Sequence, residues 1–172
     1  MKKLITAIIF LFGTLSYSET RIVFPGDIEK RKINGEVRVY VKEETEAFTG
    51  VLKKYSISGS ATEYYFVDGL ADGKMIDYYL NGRKAYERNL KQGLKDGTQI
   101  EYSYEGEKRE EIYNMGVLEV IIEYYPNNIK KSESVYNKNR KKEGIELIYD
   151  LEGKIKEKIL WKNGEIVKKV KI

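Results

Sequence analysis

Four glutamates recur at matching places along the chain, Glu63, Glu87, Glu110 and Glu133, and Glu43-Glu44 and Glu110-Glu111 set carboxylates side by side. Such acids could hydrolyse a glycosidic bond, which needs two carboxyl groups about 5–9.5 Å apart, or could bind a divalent cation. The spacing fits neither. Adjacent residues of a strand face opposite sides, and equivalent positions of consecutive hairpins lie two strands, or roughly 10 Å, apart. No loop carries an Asp-x-Asp run with a glycine calcium turn. The 172 residues contain neither Cys nor His. That excludes a disulfide framework, a thiolate or imidazole metal site, and Ser-His-Asp or Cys-His catalysis. The glutamates therefore read as a charge ladder, interleaved with Lys or Arg on the intervening strands. No catalytic, cofactor-binding or metal-ligating residue is assigned, and the chain reads as a protein that is not an enzyme.

Aromatic residues are the second chemical resource. There are 15 Tyr, 5 Phe and 1 Trp. One column holds Tyr55, Tyr78, Tyr102, Tyr124 and Tyr149; another holds Phe66, Leu90, Tyr113, Tyr136 and Trp161. Their expected role is to stack between neighbouring hairpins, at roughly 0.5–1.5 kcal/mol per aromatic pair beyond area burial. Tyr79, Tyr125, Tyr65 and Trp161 are the candidate interaction residues. A choline-gripping wall repeat would use more indole than the single Trp present.

An internal repeat must position these side chains. A glycine is followed five residues later by Tyr and nine later by Gly or Asn. The copies are Gly50-Tyr55-Gly59, Gly73-Tyr78-Gly82, Gly97-Tyr102-Gly106, Glu119-Tyr124-Asn128 and Gly144-Tyr149-Gly153. Anchors are spaced by 22–25 residues, and a second turn closes each unit at Gly69, Gly93, Gly116, Asn139 and Gly164. Each unit predicts two short strands. Asp68-Gly69, Asn81-Gly82 and Asn163-Gly164 are pairs that favour tight hairpins, and Asn127-Asn128 can serve the same role. Alternation places Val51, Ile76, Ile100, Val120, Ile122, Leu147 and the turn residues Ile57, Leu80 and Leu151 on one largely apolar face with the Tyr column. The expected fold is all-β: an elongated, twisted antiparallel sheet of five consecutive hairpin units over 50–164. Residues 19–49 form an N-terminal cap with a degenerate hairpin turning at Asn34-Gly35, and 165–172 form a final strand whose lysines discourage edge pairing.

Residues 1–18 combine Lys2 and Lys3, an apolar run from Leu4 to Leu15, and small residues ahead of Glu19, the signature of a cleaved signal peptide. The apolar run is too short for the ~20 residues that span a bilayer. An exported protein is expected, periplasmic, at the cell surface or secreted, with no integral membrane span after cleavage. Removing Lys2 and Lys3 lowers the net charge from +4 to +2. So small an excess, with no base-reading motif, gives no reason to expect nucleic-acid binding.

The unit Asp72-Gly73-Lys74-x-x-x-Tyr78-Tyr79-x-Asn81-Gly82-x-Lys84, with Ala47-Phe48-Thr49-Gly50 leading into the first copy, resembles the MORN-repeat variant proteins of bacteria over about 36–164. The resemblance implies an elongated hairpin sheet without catalytic residues. Members are often labelled antitoxin components, and exported relatives have been linked with adhesion to host cells. A one-layer sheet with an apolar face must cover it by curling, by its cap, by self-association or by a partner. The expected function is therefore an exported scaffold for protein–protein interaction at the envelope or with host cells. A toxin-neutralising or immunity partner and a cell-wall or glycan-binding module are the alternatives.

Overall fold

The computed structural model describes residues 20–57 and 59–172; the expected signal peptide lies outside them. The fold is nearly all β, 64% strand and 2% helical, in a large twisted sheet of consecutive hairpins that does not close into a barrel. In chain order the strands are β1 (Ile22–Val23), β2 (Ile28–Ile33), β3 (Glu36–Val41), β4 (Gly50–Tyr55), β5 (Ala61–Val67), β6 (Leu70–Tyr78), β7 (Lys84–Lys91) and β8 (Leu94–Lys95). They continue with β9 (Gly97–Tyr102), β10 (Lys108–Asn114), β11 (Val117–Tyr124), β12 (Lys130–Val135), β13 (Gly144–Tyr149), β14 (Ile155–Lys162) and β15 (Glu165–Lys171). From β4 onward each strand pairs antiparallel with its sequence neighbour, save that β8 is a spur on β7, which pairs on to β9. At the other end β1 pairs parallel with β4.

Two kinds of turn follow from the residues that supply positive φ. The closing turns Asp68-Gly69, Gln92-Gly93, Met115-Gly116 and Asn163-Gly164 have φ > 0 at both positions, the geometry that matches strand twist in two-residue hairpins. The opening turns differ from the tight form expected at Asn81-Gly82 and Asn127-Asn128. Only Gly82 and Asn128 take positive φ there, and the N–H of Gly82 returns to the carbonyl of Tyr79 at 3.0 Å. An extra residue therefore enters each loop. In the fourth unit Arg140, not the expected Asn139, adopts positive φ.

The residue before each anchor ties one closing turn to the next. Thr49 Oγ1 accepts from the N–H of Asp68 at 3.0 Å, Asp72 from Gln92 at 3.3 Å, Asp96 from Met115 at 2.9 Å and Glu143 from Asn163 at 2.7 Å. The fourth copy has Leu118 at this position and lacks the tie. Its turn is also the irregular one.

Among the described residues, two layers occur only at the N-terminal end. The β2–β3 hairpin, turning at Asn34-Gly35, lies over β4 and β5, and Val23, Val39, Phe48 and Leu52 form a buried cluster with Tyr64 and Phe66 against it. Phe48 is fully buried, with its ring centroid 6.0 Å from that of Phe66. Gly50 has to be glycine here: at φ +150° its Cβ would stand 2.3 Å from the Arg21 carbonyl, which accepts the N–H of Val51 at 2.8 Å. A second, smaller cluster of Tyr113, Leu118 and Ile121, with Tyr136, packs farther along the same face.

Candidate functional site

Register settles what each face presents. One unbroken row crosses the sheet as Lys53–Glu63–Ile76–Glu87–Ile100–Glu110–Ile122–Glu133–Leu147–Lys158. The apolar face expected from alternation is thus corrected. Each isoleucine of a first strand has a glutamate of a second strand on either side, so this face alternates Ile with Glu from strand to strand. The glutamates lie on the same face as the Tyr column and serve it. Tyr102 donates to Glu87 at 2.8 Å and Tyr124 to Glu110 at 2.9 Å, with Tyr78 at 3.5 Å from Glu63. A lysine completes each station: Lys53–Glu63 3.0 Å, Lys84–Glu87 2.9 Å, Lys108–Glu110 2.9 Å and Lys130–Glu133 2.7 Å. The lysines of β7 and β12 reach forward three residues on their own strand because bulges beside Tyr78 and Tyr124 turn Lys84 and Lys130 to the glutamate side.

In the first Tyr column this ladder replaces the expected ring stacking, whereas in the second column Tyr113 and Tyr136 of neighbouring units pack in one cluster. Consecutive units are joined through a phenol–carboxylate bond from the first strand of one unit to the second strand of the unit before it. Burial first, then the hydrogen bond to the carboxylate and its charge, push Tyr102 and Tyr124 up to about 12. Burial pushes the Glu87 carboxyl upward, but the bonds from Lys84 and Tyr102 outweigh it and hold the group below its ordinary value. Tyr55 has no preceding unit to bond; it is 60% exposed and stacks with Phe24 at 6.5 Å.

The opposite face carries Thr62, Asp77, Tyr86, Glu101, Arg109, Glu123 and Ser132 in one row and Arg88, Gln99, Glu111, Ile121, Ser134 and Glu146 in the next. Glu110 and Glu111 therefore face opposite sides, as adjacent strand residues must. Glu146, only 6% exposed, accepts from Ser134 at 2.9 Å, Lys142 at 2.6 Å and Trp161 Nε1 at 2.7 Å. Burial pushes its carboxyl up, yet these three donors together hold it low. Sequence reasoning missed Glu146, because it stands outside the acidic column and its partners come from three different segments.

The four candidate interaction residues do not form one surface. Tyr65 lies on the ladder face opposite Val51, whereas Tyr79, Tyr125 and Trp161 belong to the other side. Tyr79 and Tyr125 are half-buried. The hydroxyl of Tyr79 donates to the Tyr102 carbonyl at 2.5 Å and that of Tyr125 to the Tyr149 carbonyl at 3.1 Å, stapling successive opening turns. Trp161 is likewise committed, its indole bonded to Glu146 and its ring 4.8 Å from Lys142 Nζ.

The opening turns themselves protrude. Ile57, Leu80, Tyr104 and Leu151 occupy one position of the unit and are 110%, 68%, 62% and 59% exposed, which corrects the inner placement expected for Ile57, Leu80 and Leu151; exposed Pro126 fills the fourth copy. Successive turns lie side by side: a Cβ added to Gly59 would come within 3.6 Å of Leu80 and one on Gly106 within 3.9 Å of Pro126. Tyr79 and Tyr104 meet edge to face at 5.3 Å. The result is an apolar seam along one edge of the sheet. Among the described residues no group of three Asp or Glu is placed to hold a metal ion, and no helix is long and apolar enough to cross a membrane.

Comparison with protein-family models finds no match to the chain, and comparison with curated proteins finds none either. The class that can be stated is structural: a hairpin-repeat β protein whose units are linked by a Tyr–Glu–Lys ladder.

Proposed function

We propose that this is an exported, non-enzymatic repeat scaffold of the MORN-variant kind that binds a protein of the cell envelope or of a host cell. The observation that carries the reading is the seam of Ile57, Leu80, Tyr104, Pro126 and Leu151. Exposed single hydrophobics are ordinary, but a row repeated at one position of successive turns supports an interaction site. Repeat sheets commonly use such extended surfaces. The carboxylates support a structural role, because the ladder glutamates and Glu146 are engaged by Lys, Tyr, Ser or Trp donors.

The test is a crosslinking pull-down from envelope and host-cell extracts with the mature protein, against Leu80→Ser/Tyr104→Ser. The wild type is expected to capture a defined protein, and the double variant to lose most of that capture while unfolding at the same urea concentration. Capture that is equal for the two, or none from either extract, refutes the reading.

A further inference from the structure

Among the described residues β15 pairs with β14 alone and stands at one end of the sheet, and its whole length is exposed. The N–H of Ile172 turns inward, to the Lys156 carbonyl at 2.9 Å. Backbone groups alternate in direction along an antiparallel strand, so the N–H and C=O of Lys169 and Lys171 point outward. They form a row of open donors and acceptors on which another strand can be laid. Register shows what that strand would carry. The ladder row runs on from Leu147 and Lys158 to Val170, which stands where Ile76, Ile100 and Ile122 stand in their units. Each of those isoleucines meets a glutamate on the next strand outward, Glu87, Glu110 or Glu133, and Leu147 meets Lys158. Val170 has no strand on that side among the described residues. β15 is thus a first strand without its second.

Charge narrows the class of partner. Six lysines and two glutamates lie between Ile155 and Lys171. Lys169 is paired with Glu157 at 2.8 Å, whereas Lys168 and Lys171 make no ion pair among the described residues. Lys171 stands where Asp77, Glu101 and Glu123 stand, and these face Tyr86, Arg109 and Ser132 on the next strand. With the sign reversed at Lys171, the residue facing it has to be a carboxylate. Lys168, two residues before Val170, takes the place of Lys74 and favours a second carboxylate opposite Val170, as in the ladder. A second copy is a poor occupant. Full-length antiparallel pairing of two β15 strands about their middle residue sets Lys168 directly against Lys168, and opposed like charges destabilise. We propose that β15 is a docking edge for an acidic β-strand of another protein, added antiparallel with carboxylates opposite Val170 and Lys171. Main-chain bonds supply the affinity of such strand addition, and the opposed side chains supply the choice of partner. The edge shares no residue with the apolar seam.

The experiment is an NMR titration of the mature protein with two peptides at millimolar concentration, following the backbone amides of Lys169 and Lys171. One peptide has the sequence Lys108–Asn114 with Arg109→Glu, and the other is the unaltered sequence. With Glu110 set opposite Val170, as it is opposite Ile100 in the sheet, the altered peptide places carboxylates opposite Lys169, Val170 and Lys171. The unaltered one sets Arg109 against Lys171. The altered peptide is expected to shift both amides saturably. The unaltered one should bind about 5-fold more weakly, since an opposed pair of unlike charges becomes one of like charges. Lys171→Glu should reverse that order. Lys171→Pro removes an outward N–H that β14 does not use, and should abolish the response while unfolding at the same urea concentration. Three outcomes overturn the proposal: neither peptide moves the two amides; Lys171→Glu leaves the order of the peptides unchanged; or sedimentation shows a dimer that Lys171→Pro dissolves, which would put a second copy on the edge. Leu80→Ser/Tyr104→Ser should leave the peptide response intact, so failure here and failure of the seam reading are distinguishable.

Discussion

Replacing Glu146 by Gln removes one charge from a site where three donors converge. In the wild type Oε1 accepts from Ser134 and Lys142, and Oε2 accepts from Trp161. An amide cannot serve all three. With its oxygen toward Ser134 and Lys142, its NH₂ confronts the indole N–H. Turned round, it keeps Trp161, Ser134 can rotate to accept, and Lys142 loses its partner. A hydrogen bond to a charged group contributes about 1.5–3 kcal/mol. Lys142 is 29% exposed and can swing to water, which keeps the cost below the 3–5 kcal/mol of a sealed pair. The expected loss at pH 7 is about 2–3 kcal/mol. Its pH dependence has a definite sign. The folded carboxyl titrates below its unfolded value of about 4.3. The stabilisation is therefore fully present above that value and disappears as pH falls through the lower, folded one. Glu146→Gln has nothing to titrate there, so the gap between variant and wild type should narrow as pH falls below the unfolded value of about 4.3. Urea unfolding followed by the fluorescence of Trp161, the single tryptophan and itself a partner of Glu146, measures the gap locally. A loss under about 0.5 kcal/mol at pH 7, or a gap that widens as the solution is acidified, would refute the reasoning.

Alkaline titration tests the ladder. Tyr102 and Tyr124 are held near 12, above the ordinary value of about 10, so unfolded chains ionise first and stability falls as pH rises from about 10 to 12. Solvent screening discounts the effect to roughly 1 kcal/mol per tyrosine. Ultraviolet absorbance should show phenolates at these positions only above pH 11, and Glu87→Gln should bring Tyr102 back toward 10. Gly50→Ala forces a Cβ into the Arg21 carbonyl at unfavourable φ and should destabilise by about 3 kcal/mol or more. Thermal unfolding measures the loss, and a change under about 1 kcal/mol would contradict the close approach.

Much of the fold was legible in the residues. The Gly–Tyr–Gly period set the hairpins and their order, and Asn34-Gly35, Asp68-Gly69 and Asn163-Gly164 occupy the turns their backbone preferences suit. Asp72 and Asp96, directly before a glycine anchor, carried an unread signal for the tie between closing turns. The opening turns were misjudged because Asn81-Gly82 is compatible with more than one loop length, and the bulge beside Tyr78 fixes which is used. Tyr79 and Tyr125 resemble free aromatic anchors in sequence, yet their hydroxyls are engaged about 24 residues away in the chain, at Tyr102 and Tyr149.

Periodicity along one strand is a local property, and the sequence determined it alone: which residues alternate, where the chain reverses, and that five units repeat. What faces an isoleucine across the sheet depends on register, and only the tertiary structure decided that. Ile76, Ile100 and Ile122 belong to first strands, and the glutamates on either side belong to second strands of their own and the preceding unit. Hydrogen-bonded pairing brings the two patterns together on one face. An apolar stripe thereby becomes a ladder of Tyr, Glu and Lys, and Ile57, Leu80 and Leu151 stand exposed on the turns.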